Sequence, residues 1–289
     1  MTEHEPDLFP VQEIPSGATA SALPAPNRGE PELVIAASPG AAAGYAAERI
    51  AAALIAAVDR RGRADFCTTG GGTPAPIYRL MAHAPMVDRI PWQHVHFWWG
   101  DDRFVPRDSP ESCVTSFDEV LLGGAGATGG APLPSSNIHP YPIDRALAEY
   151  RDTHWCAARY AEELAAQVPL VDGNWPGFDL ILTGVGDDGH VLSCFPNSPA
   201  LDSMAWTMGV PGPSHIGPHL PRVTINPRLL EAAPVLVVTW GAKKAEAIGH
   251  VFGEVRDDRL WPVQRTRRTG ATWIVDEAAA VLIPANLCG

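Results

Sequence analysis

The chain has 289 residues and a formal net charge of −12, from 21 Lys and Arg against 33 Asp and Glu. So acidic an envelope argues against a nucleic-acid protein, whose binding by counter-ion release needs a basic face, but leaves room for a local basic pocket. With 46% hydrophobic and 19% charged residues the composition is globular, and the length suits one large α/β domain or two small ones.

No run approaches the ~20 consecutive apolar residues that span a bilayer. The start, MTEHEPDLFPVQEIP, is acidic and Pro-rich rather than basic-then-apolar, so no membrane association and a cytoplasmic location are expected. Cys67, Cys113, Cys156, Cys194 and Cys288 are scattered, with no CxxC pair, which speaks against a zinc ribbon or disulfide framework. They read as packing residues or ordinary thiols.

Residues 1–31 contain six prolines and little periodicity, and are expected to form an irregular arm, with 32–289 as a single α/β domain. The pattern then predicts a buried strand at 33–37 and an Ala-rich helix at about 41–60, closed by Arg60-Arg61-Gly62. A strand at 64–69, a helix at about 75–84 and a strand at 94–99 follow. Helices are expected at 111–122 and 145–167, and strands at 178–183, 222–225 and 235–240. A helix at 243–252, a strand at 272–275 and a helix at 277–283 complete the series. The stretches 123–136 and 197–219, rich in Gly, Pro and Ser, read as loops. Such alternation predicts a mostly parallel sheet with helices on both faces, whose ligand lies beyond the C-terminal ends of the strands.

Four groups of residues fall at those ends. Gly70-Gly71-Gly72-Thr73-Pro74 leaves a strand and opens a helix; it is either a tight turn or a phosphate cradle of exposed N–H groups, and three adjacent glycines favour the cradle. Thr73 suits the N-cap and Pro74 the first helical position. Asp101-Asp102-Arg103 is either a solvated charged turn or an anion-binding fork held by a carboxylate. His94 and His96 share a strand face; satisfied strand histidines are favoured over a metal pair. Gly184-Val185-Gly186-Asp187-Asp188-Gly189-His190 formally satisfies GxGxxG, but two carboxylates would repel a pyrophosphate, and Pro196 and Pro199 shorten any helix. The favoured reading is a loop presenting His190 as a general base with Asp188 fixing its tautomer, against a surface histidine in a polar turn. Arg222 and Lys244 either point into the same crevice or lie on the surface, Lys243 competing with Lys244. Arg265-Thr266-Arg267-Arg268 reads as a solvated loop, and His215 and His219 lack a metal-ligand partner at suitable spacing.

In order along the chain, these motifs resemble the 6-phosphogluconolactonase family. The resemblance rests on Gly70–Pro74, Asp101-Asp102-Arg103 with Val105-Pro106, Gly186–His190 with Ser193 and Phe195-Pro196, Arg222-Val223-Thr224, Gly241-Ala242-Lys243-Lys244-Ala245 and Trp273–Asp276 with Ala278-Ala279, over roughly residues 32–283. It implies a Rossmann-like sheet shared with glucosamine-6-phosphate deaminases, and hydrolysis of 6-phosphogluconolactone in the pentose phosphate pathway without metal or organic cofactor. It further implies His190 as the base, with Arg103, Arg222 and Lys244 contacting the substrate. With the Gly70–Thr73 turn, Asp101, Asp188 and Gly189, these make the expected site. Gly72, Asp102, Cys113 and Thr183 replace the family's usual Ser, Glu, Asn and Leu. The deaminase alternative carries Phe-Asn-Glu-Pro after the His, where this chain has Ser193-Cys194-Phe195-Pro196 and no Glu. A non-catalytic sugar-phosphate sensor would keep the anchors and lose the base. The expected partner is a small phospho-sugar lactone and not a nucleic acid, bound by a monomer or small homo-oligomer.

Overall fold

The computed structural model describes residues 29–124 and 129–287; the arm expected at 1–31 therefore falls almost wholly outside the described residues, as do Cys288 and part of the 123–136 loop. Where the description begins, Glu30 receives two hydrogen bonds from Arg267, at 2.9 and 3.0 Å.

The strands in chain order are β1 (Glu32–Ala36), β2 (Ala64–Thr68), β3 (Val95–Trp99), β4 (Asp101–Arg103), β5 (Ile138–His139), β6 (Leu170–Val171), β7 (Trp175–Pro176), β8 (Leu180–Thr183), β9 (Thr207–Val210), β10 (Arg222–Ile225), β11 (Val235–Thr239) and β12 (Ala271–Asp276). Seven of them form one sheet in the order β1-β12-β11-β8-β2-β3-β5, with every neighbouring pair parallel. Helices cover both faces, giving a Rossmann-like α/β fold. After β2 the chain proceeds outward to β3 and β5; after β8 it proceeds the other way to β11 and β12. β2 and β8 are neighbours, so the loops leaving them diverge and open a crevice at this switch point. The strand expected to be buried at 33–37 is instead the edge strand β1, paired on one side, and only its Ala36 is buried.

The first helix, α1 (Pro39–Arg61), begins where the Ser38 hydroxyl accepts from Ala41 N–H and ends at Gly62, which takes the left-handed conformation that glycine tolerates (φ 77°). Among the described residues α1 is long and apolar enough, by length and composition, to pass as a membrane span. Its stripe Ala42, Ala43, Ala46, Ala47, Ile50, Ala51, Leu54 and Ala57 is instead buried in the core against the sheet.

Three expectations change. The helix expected at 111–122 reduces to a single wide turn, Phe117–Leu121, because side chains capture the preceding backbone: Thr115 donates to Ser109 C=O at 2.7 Å and Ser112 Oγ accepts from Val114 N–H at 3.1 Å. The helix expected at 145–167 is two, Ile143–Ala148 and Thr153–Gln167, divided at Tyr150 (φ 53°) and restarted by Asp152, whose carboxylate caps Trp155 N–H. Asp101–Arg103, expected as a loop, is strand β4, and 197–219, also expected as a loop, contains β9; with β10 they make a second, antiparallel sheet, β4-β10-β9. Propensity could not show this, since three polar residues pair only because tertiary packing brings β10 beside them.

Charges at the N-terminal ends of the strands neutralise one another. Asp65, whose side chain is fully buried, receives Arg63, Arg61 and Trp98 Nε1 at 2.7, 2.7 and 3.0 Å. Arg60 donates to Asp179 at 2.8 Å, and Arg61 also pairs with it. Burial pushes the Asp65 carboxyl up, but the hydrogen bonds and charges of Arg63 and Arg61 outweigh it and hold it below its ordinary value. Asp65→Ala removes the carboxylate of Arg63 and one of the two that Arg61 holds, and is expected to cost about 3 kcal/mol in urea unfolding at pH 7. Because the folded carboxyl titrates below the unfolded one, this stabilisation is complete above roughly pH 4 and lost as pH falls through the folded value. The gap between wild type and variant should therefore narrow at pH 3.

Candidate active site

A cleft of about 280 Å³ opens at the β2/β8 switch point. Of the expected site residues, Gly70, Thr73, Asp101, Arg103, His190, Arg222 and Lys244 line it, together with Thr183, Gly186, Asp187 and Cys113. Gly71 and Gly72 are exposed and do not line it; Asp188 and Gly189 stand behind the His190 wall. The sequence brought these groups under suspicion from separate stretches; only the sheet order makes them neighbours.

The glycine turn has a steric reason. A Cβ on Gly70 would lie 2.3 Å from Cys113 Cα, so any side chain there would push the 112–114 segment away. Gly71 adopts φ 83°, a left-handed value. Thr73, expected to cap α2 (Pro74–Met81) through its side chain, is itself helical (φ −71°) and makes no such bond. Its hydroxyl therefore stays on the cleft wall.

The Asp101-Asp102-Arg103 segment leaves the main sheet at Gly100, where a Cβ would meet Leu192 Cδ2 at 2.6 Å, and enters the second sheet. Alternation then sorts the three side chains. Asp101 and Arg103 face the cleft; Asp102 turns away and accepts from Cys113 N–H, Arg103 N–H and Ser112 Oγ at 2.7, 2.8 and 3.2 Å. Asp101 accepts from Ser193 Oγ at 2.6 Å. Arg103 is the cross-strand partner of Arg222, so the two guanidiniums lie on one face. Each donates to one backbone carbonyl, Arg103 to Glu111 at 2.7 Å and Arg222 to Pro218 at 3.2 Å. Each also keeps a buried Nε with no hydrogen-bond partner among the described residues. Two guanidiniums side by side on a cleft wall, each with donors to spare, suit an anionic ligand.

The loop after β8 carries the acid–base groups. His190 Nδ1 lies 2.5 Å from Asp188 Oδ1, which also accepts from the His190 backbone N–H at 3.1 Å. Asp188 Oδ2 lies 2.6 Å from His215 Nε2. Burial raises the Asp188 carboxyl, but hydrogen bonds from both histidines and the charge of His190 outweigh it and hold it well below the usual carboxylate range. Gly186 is required by the His190 ring, whose Nδ1 would be 1.9 Å from a Cβ there, and Gly189 (φ 78°) leaves room for Trp261, 2.4 Å from its would-be Cβ. No helix follows to receive a pyrophosphate, in keeping with the rejection of the dinucleotide reading. Lys244 reaches the cleft and bonds Val185 C=O at 2.7 Å and Asp187, while Lys243 is exposed. Its turn is anchored by Asp276, which accepts from Gly241 N–H at 2.9 Å.

His215, read from the sequence only as lacking a metal-ligand partner at suitable spacing, meets Asp188 from 27 residues away. No local signal marks it. His94 and His96 do not form a pair; His94 ends a short 3-10 turn and is exposed, while His96 bonds His139 at 2.9 Å. Among the described residues no group of three or more His, Cys, Asp or Glu is placed to hold a metal.

The sequence profile described as glucosamine-6-phosphate isomerases/6-phosphogluconolactonase matches residues 37–274. The chain belongs to this glucosamine-6-phosphate isomerase/6-phosphogluconolactonase family. A Synechocystis protein named 6-phosphogluconolactonase is 32% identical over 77% of this chain and 86% of its own. A Streptomyces coelicolor protein of the same name is 32% identical over 89% of this chain and 96% of its own. The crystal structure of 6-phosphogluconolactonase from Leishmania guyanensis superposes with a TM-score of 0.75 at 25% identity, covering 88% of this chain and 99% of that one. Two departures from the family's usual residues, Cys113 and Thr183, lie on the cleft wall of this member.

Burial pushes the Asp102 carboxyl up to about 6, against the hydrogen bonds it accepts from Cys113 and Arg103. A folded value above the unfolded one means that the stability it confers is present below about pH 4 and lost as pH rises through 6. Asp102→Asn is expected to flatten the pH dependence of unfolding free energy between pH 4 and 6, read by urea denaturation.

Proposed function

We propose that this chain hydrolyses 6-phospho-D-glucono-1,5-lactone to 6-phosphogluconate, the second step of the oxidative pentose phosphate pathway, with His190 as general base. The observation that carries the reading is the apposition, in one cleft, of the Asp188–His190 dyad and two arginines whose buried Nε donors lack partners. The family, and the names of the relatives above, support it.

The substrate joins a phosphate of charge near −2 to a neutral cyclic ester. Arg103 and Arg222 supply cationic donors for the anion, with Gly70 and Thr73 on the same cleft wall and Lys244 as a third cation. Anchoring the phosphate orients the ring carbonyl and converts attack by water into a positioned step. His190 Nδ1 is engaged by Asp188, which leaves Nε2 to take a proton from water as its oxygen bonds C1. Donors lining the cleft stabilise the oxyanion. As the C1–ring oxygen bond breaks, the imidazolium returns its proton to that oxygen, and the new carboxylic acid releases a proton to solvent. No metal or organic cofactor enters this scheme. Deamination of an amino-sugar phosphate is disfavoured because Phe195, rather than a glutamate, packs on the His190 ring at 4.7 Å. A cytosolic setting belongs to the same proposal and suits the four free buried thiols among the described residues.

The test is a coupled assay with freshly made lactone, corrected for spontaneous hydrolysis. His190→Ala is expected to lower kcat by about 10²–10⁴-fold with a smaller change in KM; unchanged kcat would sink the assignment. Arg222→Met removes a charge-assisted hydrogen bond and is expected to raise KM roughly 10- to 100-fold. A variant binding substrate as tightly as wild type would remove Arg222 from the anion site.

A further inference from the structure

The 211–221 loop joins the antiparallel strands β9 and β10 and delivers Arg222 to the site. Its middle lies on the cleft, where Ile216 and Gly217 form part of the wall. Its two limbs pack closely: a Cβ on Gly212 would lie 2.7 Å from the His219 carbonyl carbon, and His219 Nδ1 lies 2.6 Å from Pro213 C=O. What ties this loop to the acid–base groups is His215. Its Nε2 meets Asp188 Oδ2 at 2.6 Å, while the other oxygen of the same carboxylate meets His190 Nδ1 at 2.5 Å. The Phe195 ring packs against His190 at 4.7 Å, against His215 edge-on at 5.9 Å and under the Arg222 guanidinium at 5.4 Å.

We propose that His215 is a positioning residue for this reaction: it clamps the 211–221 loop onto Asp188 and thereby fixes the carboxylate that orients His190. The proposal rests on the lactonase reading. A carboxylate bonded through one oxygen can rotate and recruit water at the other; a second donor from a separate loop removes that freedom. The same contact closes the loop over the cleft, so docking the wall and setting the base become one event. His215 is half exposed and contributes little to the core, which makes a purely structural role an insufficient account. The charged and titratable groups facing it are Asp188 and His190 on the catalytic loop and Arg222 across the Phe195 ring; His219, on its own loop, is turned back onto Pro213.

The experiment compares kcat and kcat/KM from pH 5 to 8 for wild type, His215→Ala, His215→Gln and His190→Ala, with thermal unfolding as the check on folding. His215→Ala is expected to lower kcat about 5- to 10-fold, the worth of one positioning hydrogen bond. His215→Gln, whose amide reaches the same oxygen, should recover most of that loss. In His215→Ala, KM should change less than kcat, because the residue orients the base and does not hold the substrate. The proposal is overturned if His215→Ala matches wild type in kcat while His190→Ala is inactive. It is also overturned if His215→Gln recovers none of the lost kcat. An active His190→Ala would instead bring down the general-base reading beneath it, whatever the His215 variants do.

Discussion

Arg103 and Arg222 are cross-strand partners on β4 and β10, and like charges set opposite one another weaken a ladder unless something negative lies between them. The neighbouring carboxylates do not fill that role fully. Asp101 is engaged by Ser193, and Asp102 points to the other side of its strand, where it holds the 112–113 backbone. Each arginine is pinned by one backbone carbonyl, and the remaining Nε donors are buried without a partner among the described residues. The cleft is thus built with an unmet demand for an anion inside a chain of net charge −12. The acidic envelope and the cationic niche are compatible because electrostatic demand is local and falls off within about a Debye length.

The two ends of the sheet treat charge in opposite ways. At the N-terminal ends Asp65 and Asp179 meet Arg60, Arg61 and Arg63, and the cluster is closed by Trp98. Nothing there asks for a ligand. At the C-terminal ends parallel strands terminate in diverging loops, and the polar side chains they carry, some of them paired with one another, line a cleft. This polarity follows from the parallel arrangement, which places every strand's exit on one side.

Much of the fold was legible in the chain. The apolar strands and their spacing indicated a parallel α/β sheet, and the stop signal of α1, Gly62, is where the helix ends, while its Ser38 cap came only with the structure. Failures cluster where tertiary contacts override local tendency. The 111–122 stretch has helical periodicity, yet Ser112 and Thr115 bind nearby backbone and hold most of it in turns. Asp101–Arg103 has poor strand propensity and is a strand because β10 lies alongside it. Thr73 had the residue type for a cap, and the helix forms without that bond.

The sequence by itself determined which chemistry is available: a histidine two residues from an aspartate after a strand, a run of glycines, and cations late in the chain. Residue type and short spacing suffice for that, because neighbours within a few residues cannot avoid one another. The tertiary structure alone decided which groups meet. It set Arg103 against Arg222 and brought His215 across to Asp188 from 27 residues away, and it put Asp101 and Lys244, already expected in the site, on the cleft wall. Those choices depend on strand order and on which face a side chain takes, and both are fixed by burial of the whole core.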